Sequence, residues 1–267
     1  MTQTERRRFL IQYLLKENPR YDGVEIPKSE AEQKRLLRSL VNVREAIPAS
    51  GDFLRVQDEY LQEENRTRGI TDIADLKPVT STTLSDRDIY LWRGDITTLK
   101  VGAIVNAANS GMTGCYHPCH ACIDNCIHTF AGIQLRAVCS GIMQKQGHEE
   151  PTGQAKITRA FNLPCDFVLH TVGPIVRGKL TDRDRALLAS CYKSCLKLAE
   201  ENGVHSIAFC CISTGVFCFP ADKAARIAVE TVCDWKKRTE STMKVVFNVF
   251  SEKDEEIYRE VFNEKAN

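Results

Sequence analysis

The chain has 267 residues, and its 36 Lys and Arg nearly balance 35 Asp and Glu, for a formal charge of +1. So small a charge gives no global field for nucleic acid or an anionic membrane, and any anionic ligand must be held by local donors. No apolar run approaches the ~20 residues of a membrane span, and the length suits one large domain or a domain with an extension.

The opening MTQTERRRFLIQYLL is basic, but its apolar part is short and interrupted by Gln12. No small-residue cleavage site follows, so it does not read as a signal peptide. The twelve cysteines are therefore expected to be thiols of a cytoplasmic protein rather than a disulfide framework. Phe9, Leu10, Tyr13 and Leu14 form a short apolar stripe. Pro27 and Ser29 precede a better helix, with Ser29 and Glu32 at capping-box spacing. Leu36, Leu37, Leu40, Val43 and Ile47 recur at helical intervals, and Pro48 and Gly51 are expected to stop it. Phe53, Val56 and Tyr60 predict a third helix before the polar run EENRTRG. Each stripe is too narrow for a core of its own. Residues 1–80 thus read as a helical extension covering a second domain, 81–267.

Beyond residue 80 short β-rich runs alternate with helical ones. IYLW (89–92), AIVNAA (103–108), FVLHTV (167–172), SIAFCCIS (206–213) and KVVFNVF (244–250) predict strands buried on both faces. Helices are predicted around 126–146, 182–202, 221–238 and 253–263. This alternation argues for an α/β layered sheet, with ligands bound in the loops at the carboxyl ends of strands. Cys210 and Cys211 read as small core residues.

STGVFCFP (213–220) joins a strand to a helix opened by Pro220. Its Ser-Thr-Gly turn either cradles phosphate with backbone N–H groups or is a plain connection. There is no GxGxxG after a strand and no GxxxxGK[ST], which disfavours a nicotinamide Rossmann site and a P-loop. Asp95, in RGDIT, is either an acceptor for an amino group such as adenine N6 or a turn and cap residue. Asn106 and Asn109 end a buried strand, where an amide can orient a hydroxyl-rich ligand or satisfy backbone groups.

The densest chemistry is GCYHPCHACIDNCIHTF, which gathers Cys115, His117, Cys119, His120, Cys122, Cys126 and His128. Zn²⁺ prefers thiolate and imidazole. Only Cys119-x-x-Cys122 has knuckle spacing, and no second separated pair completes a ribbon. A metal held by one loop, with few protein ligands and a vacant side, is one reading. A loop of surface thiols is the other. Asp124 stands directly after it and could activate water.

GDIT (94–97), AIVNAANS (103–110), IDNCIHTFAG (123–132), PTGQAKIT (151–158), VLHTVGP (168–174), SIAFCCISTGVFCFP (206–220) and AARIAVETV (224–232) occur in that order. Together, over roughly 85–262, they resemble the macrodomain family, which binds ADP-ribose. GCYHPCHAC in place of the family's glycine run resembles the zinc-containing macrodomains of bacteria. These are protein-ADP-ribose hydrolases that often accompany a sirtuin-type ADP-ribosyltransferase. The resemblance implies a three-layer α/β/α fold with a mixed, mostly parallel sheet. It puts Asp95 and Ile96 at the adenine end and Ser213, Thr214, Gly215, Val216 and Phe217 around the pyrophosphate and distal ribose. Asn109 would orient that ribose, Cys122, Ile123 and Asp124 would border it, and Asp124 would lie at the scissile bond. One zinc ion per chain would sit on Cys115, His120 and Cys122, while Cys119 and His117 stay open as further ligands and Cys126 as packing. The implied activity is hydrolysis of ADP-ribose from mono-ADP-ribosylated protein, Asn109 and Asp124 acting in catalysis. The alternatives are an ADP-ribose reader with a structural zinc, and a structural zinc domain with no nucleotide ligand.

Overall fold

Helix α1 (Gln3–Lys16) starts at a reciprocal cap: Thr2 Oγ1 accepts from the Glu5 N–H, and the Glu5 carboxylate accepts from the Thr2 N–H. Ser29 caps α2 (Glu30–Val43) by accepting from the Glu32 N–H. The expected continuation of α2 to Ile47 does not occur. Arg44 adopts extended backbone, and its guanidinium pairs with Glu17 and bonds the carbonyls of Glu45, Ile47 and Pro48. Ile47 is therefore left 47% exposed. Gly51 does not end α2 either; it opens α3 (Gly51–Arg68), capped by Ser50. Leu10, Ile11, Leu14, Leu40, Phe53 and Val56 form one buried cluster, which Ile133 from the following half completes.

The computed structural model describes residues 1–79 and 88–266, so the expected boundary between residues 80 and 81 lies outside the described residues. After the short strand β1 (Thr71–Asp72) come β2 (Ile89–Arg93), β3 (Leu99–Lys100) and β4 (Ala103–Ala108). They are followed by α4 (Ile123–Ala131), α5 (Ile133–Gln146), β5 (Ala155–Arg159) and β6 (Phe167–Val172). The chain ends with α6 (Asp182–Glu201), β7 (Ser206–Phe209), α7 (Ala221–Thr239), β8 (Lys244–Val249) and α8 (Glu252–Ala266).

Six strands form one sheet in the order β2-β8-β7-β4-β6-β5. All neighbours are parallel except β5, which runs antiparallel on the edge beside β6. Helices α6, α7 and α8 cover one face; α4 and α5 cover the other, with α2 and α3 packed outside α4. Covering both faces explains why β4, β6 and β8 are apolar almost without alternation. β1 pairs with β3 in parallel and fastens the end of the extension to the sheet domain. β7 is shorter than the predicted run, because Cys210–Ser213 turns away at the carboxyl edge.

The helix predicted over 126–146 is two helices. Gly132 breaks it at φ +100, and a Cβ there would lie 2.7 Å from Gln57 Nε2 and Gln134 Oε1. The break turns α5 so that Arg136, buried at 5%, reaches back under the extension. Its Nε donates to the Thr113 carbonyl, and its Nη1 donates to the carbonyls of Val41, Asn42 and Arg44. Hydrogen bonds to a charged donor are each worth ~1.5–3 kcal/mol, and losing the donor leaves these carbonyls short of a partner. Arg136→Met is expected to lower unfolding free energy by about 3 kcal/mol in urea titrations; an unchanged midpoint would show that the guanidinium does not tie the two halves together.

Candidate functional site

The loop after β4 returns to the sheet through the start of α4, and Cys122 is the N-cap: its Sγ accepts from the Asn125 N–H at 3.4 Å. Donor atoms of Cys115, His120 and Cys122 lie within 4.8 Å of one another, with Cys115 Sγ 3.6 Å from His120 Nδ1. Burial first, and then neighbouring negative groups including Cys115 and Asp124, push the Cys122 thiol up to about 12. Two half-buried thiols and an imidazole converging without an anchoring cationic side chain form a donor set suited to a soft or borderline metal. Cys119 is not among them. Its Sγ contacts Ser39 Oγ at 3.2 Å and the Arg35 carbonyl at 3.5 Å, while its N–H donates to Asn42 Oδ1. The His117 ring is exposed and stands edge-on to His120.

At the second position of α4, Asp124 is 5% exposed. Asn106 donates to its Oδ1 at 2.7 Å and Asn109 to its Oδ2 at 3.1 Å. Burial raises the Asp124 carboxyl to about 6, and these amide bonds oppose the rise. Asn109 is otherwise engaged with the Gly114 carbonyl and the Gly111 N–H. Asn106 also donates to His170 Nδ1 at 3.1 Å, across the β4–β6 register that pairs the two residues. An amide nitrogen can only donate, so the imidazole proton sits on Nε2 and donates to Thr158 Oγ1 at 3.0 Å.

Beside this group opens a cavity of about 460 Å³. Asp95 and Ile96 line one end, Cys122 and Ile123 the α4 side, and residues 213–217 the far wall. Ser213 is held at φ +66, against Gly173, where any Cβ would come within 2.1 Å of Ser213 Oγ. The loop closes on itself through Phe219 N–H to Ser213 O and Cys218 N–H to Gly215 O. No hydrogen bond within the described residues takes up the N–H groups of Gly215, Val216 and Phe217, an arrangement suited to an anion. A larger cavity of about 530 Å³ lies between α2, α3 and α4, but its walls, including Leu37, Phe53 and Phe130, lack such a donor loop.

The Macro domain family profile matches residues 105–228. A Treponema medium protein named protein-ADP-ribose hydrolase is 71% identical over 98% of this chain and 100% of its own length. The chain belongs to the macrodomain family. A Staphylococcus aureus (strain MRSA252) protein of the same name is 50% identical over 97% of this chain and 95% of its own. The Trypanosoma brucei macrodomain in complex with ADP-ribose superposes with a TM-score of 0.65 at 28% identity, covering 88% of this chain and 96% of that one.

Within the macrodomain, the residues expected at the ligand do not all stand in the same place. Asp95, Ile96, Cys122, Ile123 and Ser213–Phe217 line the cavity, whereas Asn109 and Asp124 are not among the residues that line it; they bond to each other. Asp95 caps the short 3-10 turn Ile96–Thr98, and Arg68 of α3 pairs with its other oxygen. Cys126, expected to be packing, lines the cavity beside Arg38. Neither Arg38 nor Arg68 was legible as a site residue, because a polar stripe on a helix ordinarily faces solvent. His128, Cys139 and His170 also cluster, all buried, but the proton on His170 Nε2 already goes to Thr158, which leaves no lone pair there for a metal.

Burial holds His170 down to about 4 and His128 well below its usual value. Both imidazoles take up protons more readily in the unfolded chain, so their contribution is present above about pH 6.5 and lost as pH falls toward 4. Asp124 acts oppositely, because its folded carboxyl protonates first. Two imidazoles against one carboxyl leave about one net proton taken up on unfolding. Stability should therefore fall as pH drops from about 6 to 4.5, measured by urea unfolding; a flat or rising profile would contradict the buried neutral pair.

Proposed function

We propose that this macrodomain hydrolyses the bond between the distal ribose of ADP-ribose and a side chain of a mono-ADP-ribosylated protein. The observation that carries the reading is the near-full-length similarity to proteins named protein-ADP-ribose hydrolase. The cavity supports it: Gly215, Val216 and Phe217, whose N–H groups take part in no hydrogen bond among the described residues, line it after Ser213 and Thr214 and would hold a pyrophosphate. Asp95 and Ile96 would receive the adenine at the opposite end. Cys122, Ile123, Asn109 and Asp124 would border the distal ribose.

The donor set fits zinc, and Cys115, His120 and Cys122 would hold one ion per chain. Zn²⁺ would supply Lewis acidity and positive charge beside the distal ribose. Cys119, held by α2, stands apart from these three donors. The reaction itself asks for a base and a fixed sugar. Asp124 would accept a proton from the attacking water, whose oxygen ends on C1″ as the bond to the side chain breaks. The same proton then passes to the departing group. Asn106 and Asn109 hold both carboxylate oxygens, so the base is oriented before substrate arrives. Asn109, at the ribose end, would also orient the sugar hydroxyls.

A hydrolase of this kind needs a transferase to make its substrate, and a sirtuin-type ADP-ribosyltransferase would be that counterpart. All twelve cysteines are free thiols, which supports a reducing, cytoplasmic setting. No helix among the described residues is long and apolar enough to cross a membrane.

Release of ADP-ribose from mono-ADP-ribosylated protein tests the reading. Asp124→Ala is expected to lower kcat by ~10²–10⁴-fold, the usual worth of a general base, while calorimetric ADP-ribose affinity changes only a few-fold. Asn109→Ala should lower kcat in the same direction. A metal-replete protein that leaves acyl, serine and arginine linkages all intact, yet binds ADP-ribose, would be a reader instead. Chelation should abolish turnover, and added Zn²⁺ should restore it; full activity in a metal-free sample, checked by elemental analysis, would remove zinc from the reading.

A further inference from the structure

One face of α2 is spent on the loop that carries the metal-ligand candidates, 82 residues away in sequence. Arg38 Nη2 donates to the His120 carbonyl at 2.8 Å and to Asn125 Oδ1 at 2.9 Å. Asn125, fully buried, passes the restraint on: its Nδ2 donates to the carbonyls of Cys115 and His117. Asn42, 1% exposed, accepts from the Cys119 N–H at 2.9 Å, and its Nδ2 donates to Thr129 Oγ1 of α4. Ser39, between them, meets the Cys119 thiol at 3.2 Å. Arg35, Arg38, Ser39 and Asn42 recur at spacings of three and four, so they share one stripe of the helix. Of this polar stripe, Asn42 is buried and Arg38 and Ser39 are part-buried against the loop, while Arg35 is exposed and meets Cys119 through its carbonyl.

We infer that α2 is the template on which the metal-binding loop is shaped, with Arg38 and Asn42 as its positioning residues. The inference rests on the proposed zinc reading of Cys115, His120 and Cys122, and goes beyond it to the segment outside the family core. Preorganisation is the physical reason. Cys119 sits at φ +53 within the loop, a strained backbone for a non-glycine residue. Asn42 pins that residue from one side, and Arg38 pins the next carbonyl. The two ligands His120 and Cys122 flank Ala121, so their directions are fixed by this short stretch. The same contacts hold the Cys119 thiol on α2, away from the three converging donors. Without α2, three thiols and two imidazoles on one loop would compete for one ion, and ligand choice would not be unique. The extension therefore has a chemical role, since its helix selects which donors meet the metal.

The test uses the full chain and reads metal binding rather than turnover. Zn²⁺ affinity is measured by competition with a chromophoric chelator, and the coordination sphere by the visible spectrum of the Co²⁺-loaded protein. Arg38→Met and Asn42→Ala should each weaken Zn²⁺ binding by ~10–100-fold, the usual cost of removing a group that orients a ligand. Their Co²⁺ bands should shift or broaden. Arg38→Lys, which returns one donor to the His120 carbonyl, should recover part of the affinity. Arg55→Ala, on the exposed side of α3, should match the wild type. Circular dichroism and urea unfolding of the metal-free variants check that the chain remains folded. If Arg38→Met and Asn42→Ala bind Zn²⁺ as tightly as the wild type with the same Co²⁺ spectrum, the template role is wrong while the zinc reading stands. If the wild type itself takes up no metal, the zinc reading fails and the template falls with it.

Discussion

A single thiol at the start of α4 carries three constraints at once. Cys122 closes the helix by accepting from the Asn125 N–H, lines the ligand cavity, and converges with Cys115 and His120. A serine could cap the helix equally well, but it could not serve as a soft metal donor. Because the cap fixes where α4 begins, it also fixes Asp124 two residues on, where Asn106 and Asn109 grip the carboxylate. The direction of one helix thus sets the spacing between Asp124, cavity and thiols. The buried thiol resists ionisation, and Asp124 beside it discourages a second negative charge.

Much of this was legible in the chain. Strands buried on both faces announce themselves as apolar runs, and the five predicted strands fall on β2, β4, β6, β7 and β8. β5 was not predicted as a strand, since an edge strand with intermediate burial has no continuous apolar signal. Helix ends were the weak point. Leu36 to Ile47 keep helical spacing, but Arg44 leaves the helix because its guanidinium finds Glu17 and three carbonyls outside it. Gly132 likewise cut a predicted helix, through a close approach of Gln57 that no local pattern reveals.

The site divides in the same way. Candidate ligands close in sequence, such as Cys115, His120 and Cys122, could be aligned to a family pattern, and the structure brings them together. Contacts made across the fold could not. Nothing in RLLRSLVN shows that Arg38 meets a carbonyl 82 residues later, and Asn106 could have faced a ligand or the backbone rather than joining Asp124 to His170. The bond that joins Asn109 to Asp124 is also a matter of tertiary packing.

The sheet order has a consequence for how far the chain can be trimmed. The family match, 105–228, retains neither β2 nor β8, the two strands that flank β7 on its outer side. A fragment with those limits would leave β7 with unpaired N–H and C=O groups along an apolar edge, a ready template for intermolecular pairing. The matched centre therefore leaves out a strand that precedes it and another that follows it, paired side by side in parallel.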